Sequence, residues 1–507
     1  MKLKAIAAAV LLICTAVIPA ACGGEKNPGG KTDVNIEAGY MRLDLSEQTG
    51  KTEGFGTQFD TLIVEAQNFL TEEEWELWCD AAEEMNLQSV RIRFYPEMYE
   101  RGKDNADPFS FDRESANVDF NSIEMNHLYK LLDLFERLDV KVDLSWYGCR
   151  TTFTPELPGK KMGKMLGSWL GGKYGENGIN SWMVAPSLTD NPNEEFAESV
   201  AECLDYLINV KKYTCLYQYS IFPEPEGVIK NMDDFKAISV SIENRLAAKG
   251  LSDKIIFSGP ADYNNNPSVL EDKYLSKIDF EHASSSVYKF NAQSGNEEML
   301  DFALEFSATT AKYGLTWSIA ESGTSNFLTP VTNSDSGTYD RAMFMARFMI
   351  NMTNGGCTGI KYFVFGDCYY DGTLNELGLF KFSHENWAPK PVWYSWSLIA
   401  KYSEFGSDMF PIASEDENLC ATALRLPDGS WSYFAANTSN SEKNIAVVNV
   451  REDKPSAMNV YMMSESGLPD DGKLLTIPSS SQLDASSGVA YVSVPANGFV
   501  VVSSKGL

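Results

Sequence analysis

Residues 122–146 read "SIEMNHLYKLLDLFERLDVKVDLSW". Leu128, Leu131, Leu132, Phe135 and Leu138 recur three or four residues apart, the spacing of one apolar stripe along a helix. Directly after Asp139 the character changes, and "VKVDLSW" (140–146) reads as a strand. A further strand, "SVRIRF" (89–94), precedes the helix. Strand, helix and strand in that order imply parallel strands with the helix lying across them.

The same alternation runs from about residue 54 to 402. Further strands are "GFGTQFD" (54–60), "CLYQYSIF" (215–222), "KIIFSG" (254–259), a run near 278–288, "TWSIAE" (316–321) and "TGIKYFVF" (358–365). Amphipathic runs such as "TEEEWELWCDAAEEM", "EEFAESVAECLDYLINV" and "NEEMLDFALEFSATTAKY" lie between them. Eight βα units in this length predict an α/β fold of the TIM (β/α)8 barrel type. A doubly wound sheet is disfavoured, because no G-x-G-x-x-G follows the first strand. One long Gly/Trp-rich insertion, 148–187, follows the third strand, where barrel loops build clefts. After Tyr402 short strands separated by turn residues predict a C-terminal antiparallel β-sandwich. The expected divisions are 1–21, 22–37, 38–404 for the barrel and 405–507 for the sandwich, with 38–48 available to add a strand to the latter.

Composition narrows the function. A formal charge of −28 over 507 residues repels phosphate backbones, so nucleic acid is not an expected partner. The N-terminus "MKLKAIAAAVLLICTAVIPAACGG" has a basic start, an apolar run, small residues and then Cys22. It resembles a bacterial lipoprotein signal, implying lipidation of Cys22, a flexible tether to residue 37, and an extracytoplasmic membrane-anchored protein. That lipid is the one membrane contact expected. Seven cysteines remain beyond Cys22 with no C-x-x-C among them, and the three histidines, His127, His282 and His384, are scattered. Neither a disulfide framework nor a histidine metal site is indicated, and hydrolytic chemistry would run on carboxylates.

Two acids fall at strand ends. Glu224 follows the fourth strand in "FPEPEG" and Glu321 ends the seventh in "TWSIAESG", 97 residues or about three βα units on. Barrel enzymes gather functional side chains at the C-terminal strand ends, so both carboxylates would face one cleft. Glycoside hydrolysis needs such a pair, one carboxyl protonating the departing oxygen and the other attacking the anomeric carbon. Glu224 between two prolines is also consistent with a rigid acidic turn, and Glu226 is the reserve acid. Glu321 closes an apolar strand, where a carboxylate without a purpose would be costly.

The order of these motifs resembles glycoside hydrolase clan A, the retaining (β/α)8 glycosidases, with likenesses to families 5, 30 and 39. "GFGTQFD", "SVRIRF", "VDLSWYG", "FPEPEG", "SSSVYK", "IAESG" and "APKPVWYSWSLIAKYS" follow in the family's order. The resemblance implies Glu224 as acid/base and Glu321 as nucleophile, supported by Arg91 or Arg93 and touched by Tyr288. It further implies Trp146, Trp182, Trp317 and Phe363 or Phe365 as candidate sugar-contacting aromatics. Two positions depart from the pattern: Pro223 stands where the family has a sugar-binding asparagine, and Ser286 where a histidine is common. The expected activity is retaining β-glycosidase action on a neutral extracellular poly- or oligosaccharide, with no cofactor and no metal. The eighth loop "DCYYDG" (367–372) carries two acids, too few to define a calcium site. The competing reading is a glycan-binding surface lipoprotein derived from such an enzyme.

Overall fold

The computed structural model describes residues 34–59, 70–100, 104–146, 192–225, 232–323, 335–370, 373–469 and 477–507. Cys22, Trp182, Glu226 and the insertion at 148–187 lie outside the described residues. Among those described, no helix is long and apolar enough to cross a membrane. The fold lies in one body, Glu37–Leu507.

Two short strands come first, β1 (Met41–Asp44) and β2 (Gly50–Lys51). The barrel follows: β3 (Gly54–Gln58), β4 (Ser89–Phe94), β5 (Lys141–Trp146), β6 (Leu216–Ile221), β7 (Ile256–Asp262), β8 (His282–Val287), β9 (Trp317–Ser322) and β10 (Gly359–Tyr362). All eight pair in parallel, and β10 closes on β3 with Ile360 beside Phe55. This is the (β/α)8 barrel expected from the alternation.

Helices cover it: α1 (Glu72–Glu84), α2 (Ile123–Arg137), α3 (Pro192–Asp205), α4 (Met232–Ala248), α5 (Asn296–Ala311), α6 (Tyr339–Asn354) and α7 (Pro391–Lys401). In α2, Leu128, Leu131, Leu132 and Phe135 are fully buried and Leu138 partly so, as the stripe requires. Ser122 caps its N-terminus, its hydroxyl accepting from the Met125 N–H at 3.1 Å, a bond of the kind that contributes about 1 kcal/mol. At the β3–β4 contact only glycine fits position 56, since a Cβ there would lie 1.6 Å from the Ser89 carbonyl oxygen. The freed Gly56 carbonyl accepts from the Trp396 indole of α7 at 2.9 Å, locking the last helix onto the first barrel strand.

After a small hairpin, β11 (Cys368–Tyr370) and β12 (Thr373–Asn375), the chain builds β13 (Asp408–Ile412), β14 (Leu419–Arg425), β15 (Trp431–Asn437), β16 (Lys443–Val448), β17 (Ala457–Met463), β18 (Ser481–Asp484), β19 (Val489–Val494) and β20 (Gly498–Ser503). One sheet runs β18-β17-β20-β15-β14-β13-β2 and the other β1-β16-β19. Leu43, Trp431, Ile445, Val492 and Val500 belong to a core of its own between them. Both N-terminal strands therefore belong to sandwich sheets: Met41 lies beside Ile445, and Gly50 beside Met409.

Candidate active site

Strand alternation puts Arg91 and Arg93 on the same face of β4. Arg91, fully buried, donates through Nη1 to the carboxylate of Glu321, the fifth residue of β9. It also donates to Gln58 Oε1 and to Ser145 Oγ, both at 3.3 Å. The other carboxylate oxygen of Glu321 accepts from the Tyr288 hydroxyl at 3.0 Å. Glu321 is thus fixed from two sides, by a guanidinium and by a phenol.

Glu224 lies three residues past the end of β6. The strand's pairing extends through the Phe222 N–H, which donates to the Trp146 carbonyl at 2.7 Å. Phe222 then stacks on Phe196, and Pro223 and Pro225 are buried to either side of a half-buried Glu224. Phe222 and Glu224 take φ of 48° and 55°, left-handed conformations that side-chain-bearing residues rarely adopt. Such conformations persist where the surroundings over-determine them, and they cluster at functional sites.

The two carboxyls feel each other. Burial first, and the Glu321 charge second, push the Glu224 carboxyl up to about 8, against the opposing pull of Arg91, a hydrogen bond from Ser286, and Arg93. Ser286 also reaches the Ala261 carbonyl at 3.2 Å. Its position in β8 is beside Glu321 in β9. One site therefore holds an acid that keeps its proton near neutrality next to a carboxylate braced by a cation.

No family model and no curated protein matches the sequence. Among solved structures, a GH30 endoxylanase from Clostridium papyrosolvens is similar at 13% identity and a TM-score of 0.58, over 91% of this chain and 98% of that one. Xylanase C from Talaromyces cellulolyticus, a GH30 catalytic domain, is similar at 11% identity and a TM-score of 0.59, over 91% and 99%. The endo-β1,6-glucanase BT3312 is similar at 12% identity and a TM-score of 0.57, over 92% and 95%. This chain has the GH30 glycosidase fold.

On the GH30-like barrel, Arg91, Arg93, Tyr288, Pro223, Glu224 and Glu321 come together at one end. Of the expected aromatic contacts, Trp182 lies outside the described residues and the others are buried. Trp146 is fully buried, edge-on to Phe94 at 5.0 Å, and offers no face to a sugar. Trp317 begins β9, four residues before Glu321, and packs outward against Phe302 and Phe306 of α5 while its indole N–H donates to Ser307 at 2.7 Å. Phe365 is enclosed by Phe59, Trp78 and Phe380, and Phe363 is buried in a small cluster with Val364, Cys368 and Leu377. Trp146, Trp317 and Phe365 are core, because neighbouring rings cover their faces, whereas the buried Phe363 cluster packs against Tyr288. The sequence reading missed Gln58 and Ser145, which touch Arg91, and it took Ser286 only as a departure. Period-2 alternation was the available clue, since Ser145 lies beside Arg93 in the β4–β5 register.

Proposed function

We propose that this protein is a retaining β-glycosidase, with Glu224 as acid/base and Glu321 as nucleophile, acting on a neutral poly- or oligosaccharide. The observation that carries the reading is the unequal pair: a Glu224 carboxyl pushed up to about 8 beside a Glu321 carboxylate held by Arg91 and Tyr288. Glu224 would give its proton to the departing glycosidic oxygen while a Glu321 oxygen attacks the anomeric carbon. The emptied Glu224 would then take a proton from the water that releases the sugar. The hydrogen bond from Tyr288 and the ion pair with Arg91 would position the attacking carboxylate. Xylans and β-1,6-glucans are the first substrates to try, because xylanases and a β-1,6-glucanase share the fold. From its N-terminal sequence we further infer export and lipidation at Cys22.

Pro223 favours a second reading, a glycan-binding protein with impaired catalysis. A proline has no side-chain donor for the sugar 2-hydroxyl, and bonds of that kind strengthen in the transition state. Trapping with activated 2-deoxy-2-fluoro glycosides distinguishes the two. A covalent adduct on Glu321, found by peptide mass spectrometry, supports the hydrolase. Glycan binding with no adduct across xylosides and glucosides supports the binding protein.

A further inference from the structure

We propose that Glu100, Asp104 and Glu195, with Glu198 beside them, form a binding site for one calcium ion. Glu100 and Asp104 lie in the segment after β4, and Glu195 and Glu198 in the first turns of α3. One oxygen from each of Glu100, Asp104 and Glu195 lies within 4.8 Å of the others. All four side chains are withdrawn from water, Glu100 and Glu198 to 1% exposure, Glu195 to 2% and Asp104 to 9%.

A buried acidic cluster can be inert if its oxygens are satisfied, and here two are not. Among the described residues, Oε2 of Glu100 and Oε1 of Glu198 have no hydrogen-bond donor. The Arg245 guanidinium stands 3.7 Å from Glu198 Oε1, beyond the range of a charge-assisted bond. Asp104 by contrast is pinned in place: Oδ1 accepts from the Asn105 N–H at 2.7 Å, and Oδ2 accepts from Asn105 Nδ2 and the Asp112 N–H. Elsewhere in the protein a buried acid meets its cation closely, as Asp367 meets Lys390 at 2.6 Å.

Enclosed carboxylates this close must be neutralised by protons or by a metal ion. A divalent cation would compete for the same sites. The donor set is carboxylate oxygen throughout, which selects hard cations. Four carboxylates supply up to eight oxygens, enough for the six to eight that calcium takes, whereas magnesium keeps several waters that a closed pocket would have to accommodate. Sequence spacing does not reveal the site, since Glu100 and Glu195 lie 95 residues apart. The site stands independently of the hydrolase reading.

The test uses the full protein stripped with EGTA, titrated with calcium chloride and followed by calorimetry and thermal melting, with matched sodium and magnesium controls. Binding of about one calcium per chain and a melting rise of about 2 °C or more at millimolar calcium are expected. Glu100→Gln should weaken binding at least ~10-fold, and Glu195→Gln likewise. Should those variants fail to fold, the wild-type titration carries the decision. Equal melting in EGTA and calcium, with no heat of binding, overturns the site and leaves a proton-neutralised cluster. Magnesium binding as tightly as calcium overturns the choice of ion.

Discussion

The Arg91 guanidinium on β4 bonds the Glu321 carboxylate on β9, three strands away round the barrel, with both groups almost wholly out of water. Removing one partner of such a pair leaves an uncompensated buried charge. Arg91→Ala is therefore expected to cost about 3–5 kcal/mol in urea or guanidinium unfolding. A loss of only a few tenths would show that the pair is not desolvated in solution.

Glu224 makes the protein's stability pH-sensitive and, on the hydrolase reading, its activity as well. A carboxyl raised to about 8 holds its proton in the folded protein while its unfolded counterpart has lost it. Between about pH 4.5 and 8 the folded state binds more protons, so this group's contribution to stability falls as pH rises and is lowest above the folded value. Glu224→Gln should melt higher than wild type at about pH 9, and the difference should vanish near pH 4. Wild-type turnover should decline with an alkaline limb near 8. A flat profile from pH 6 to about 9 would remove Glu224 as the acid.

On the hydrolase reading, replacing Glu224 separates the two steps. Glu224→Gln should cut turnover of a poor leaving group by about 10²–10⁴-fold. A substrate with a good leaving group, such as a dinitrophenyl glycoside, should still load Glu321, giving a burst followed by slow release. Equal losses on both substrates would mean that Glu224 does not protonate the leaving group.

Ser286 favours the charged form of Glu224. Ser286→Ala should move the alkaline limb of activity upward by up to about one pH unit, with the fold unchanged by circular dichroism. A downward shift would show that Ser286 instead stabilises the protonated acid.

Gly56 faces the Ser89 carbonyl across the β3–β4 contact. Because the obstacle is backbone, Gly56→Ala should destabilise the barrel by about 3 kcal/mol or more, read from the unfolding midpoint. Wild-type stability in that variant would mean that β3 can slide relative to β4.

The barrel is legible in the sequence because its strands and helices differ in period. Leu128, Leu131, Leu132 and Phe135 show a helical stripe that the core then uses. The strand ends are legible for the same reason, and with them the placement of Glu224 and Glu321. What the sequence does not carry is the direction in which a strand-end aromatic is packed. Trp146, Trp317 and Phe365 have the composition of sugar platforms, yet neighbouring rings cover each of them. Contacts that exist only once the barrel closes, such as those of Gln58 and Ser145 with Arg91, have no local signature either. The acids at Glu100 and Glu195 meet for the same reason, through folding over a long separation.

The early position of β1 sets a timetable for making this protein. Met41 pairs with Ile445, so 404 residues must be synthesised before that partner exists. At ribosomal rates of about 5–20 residues per second, the wait is roughly 20–80 s. Every barrel strand leaves the ribosome within that interval, so the barrel can assemble while β1 is still unpaired. An exposed Met41–Asp44 segment is then the part of the nascent chain most in need of protection, and the β-sandwich is the last piece to lock.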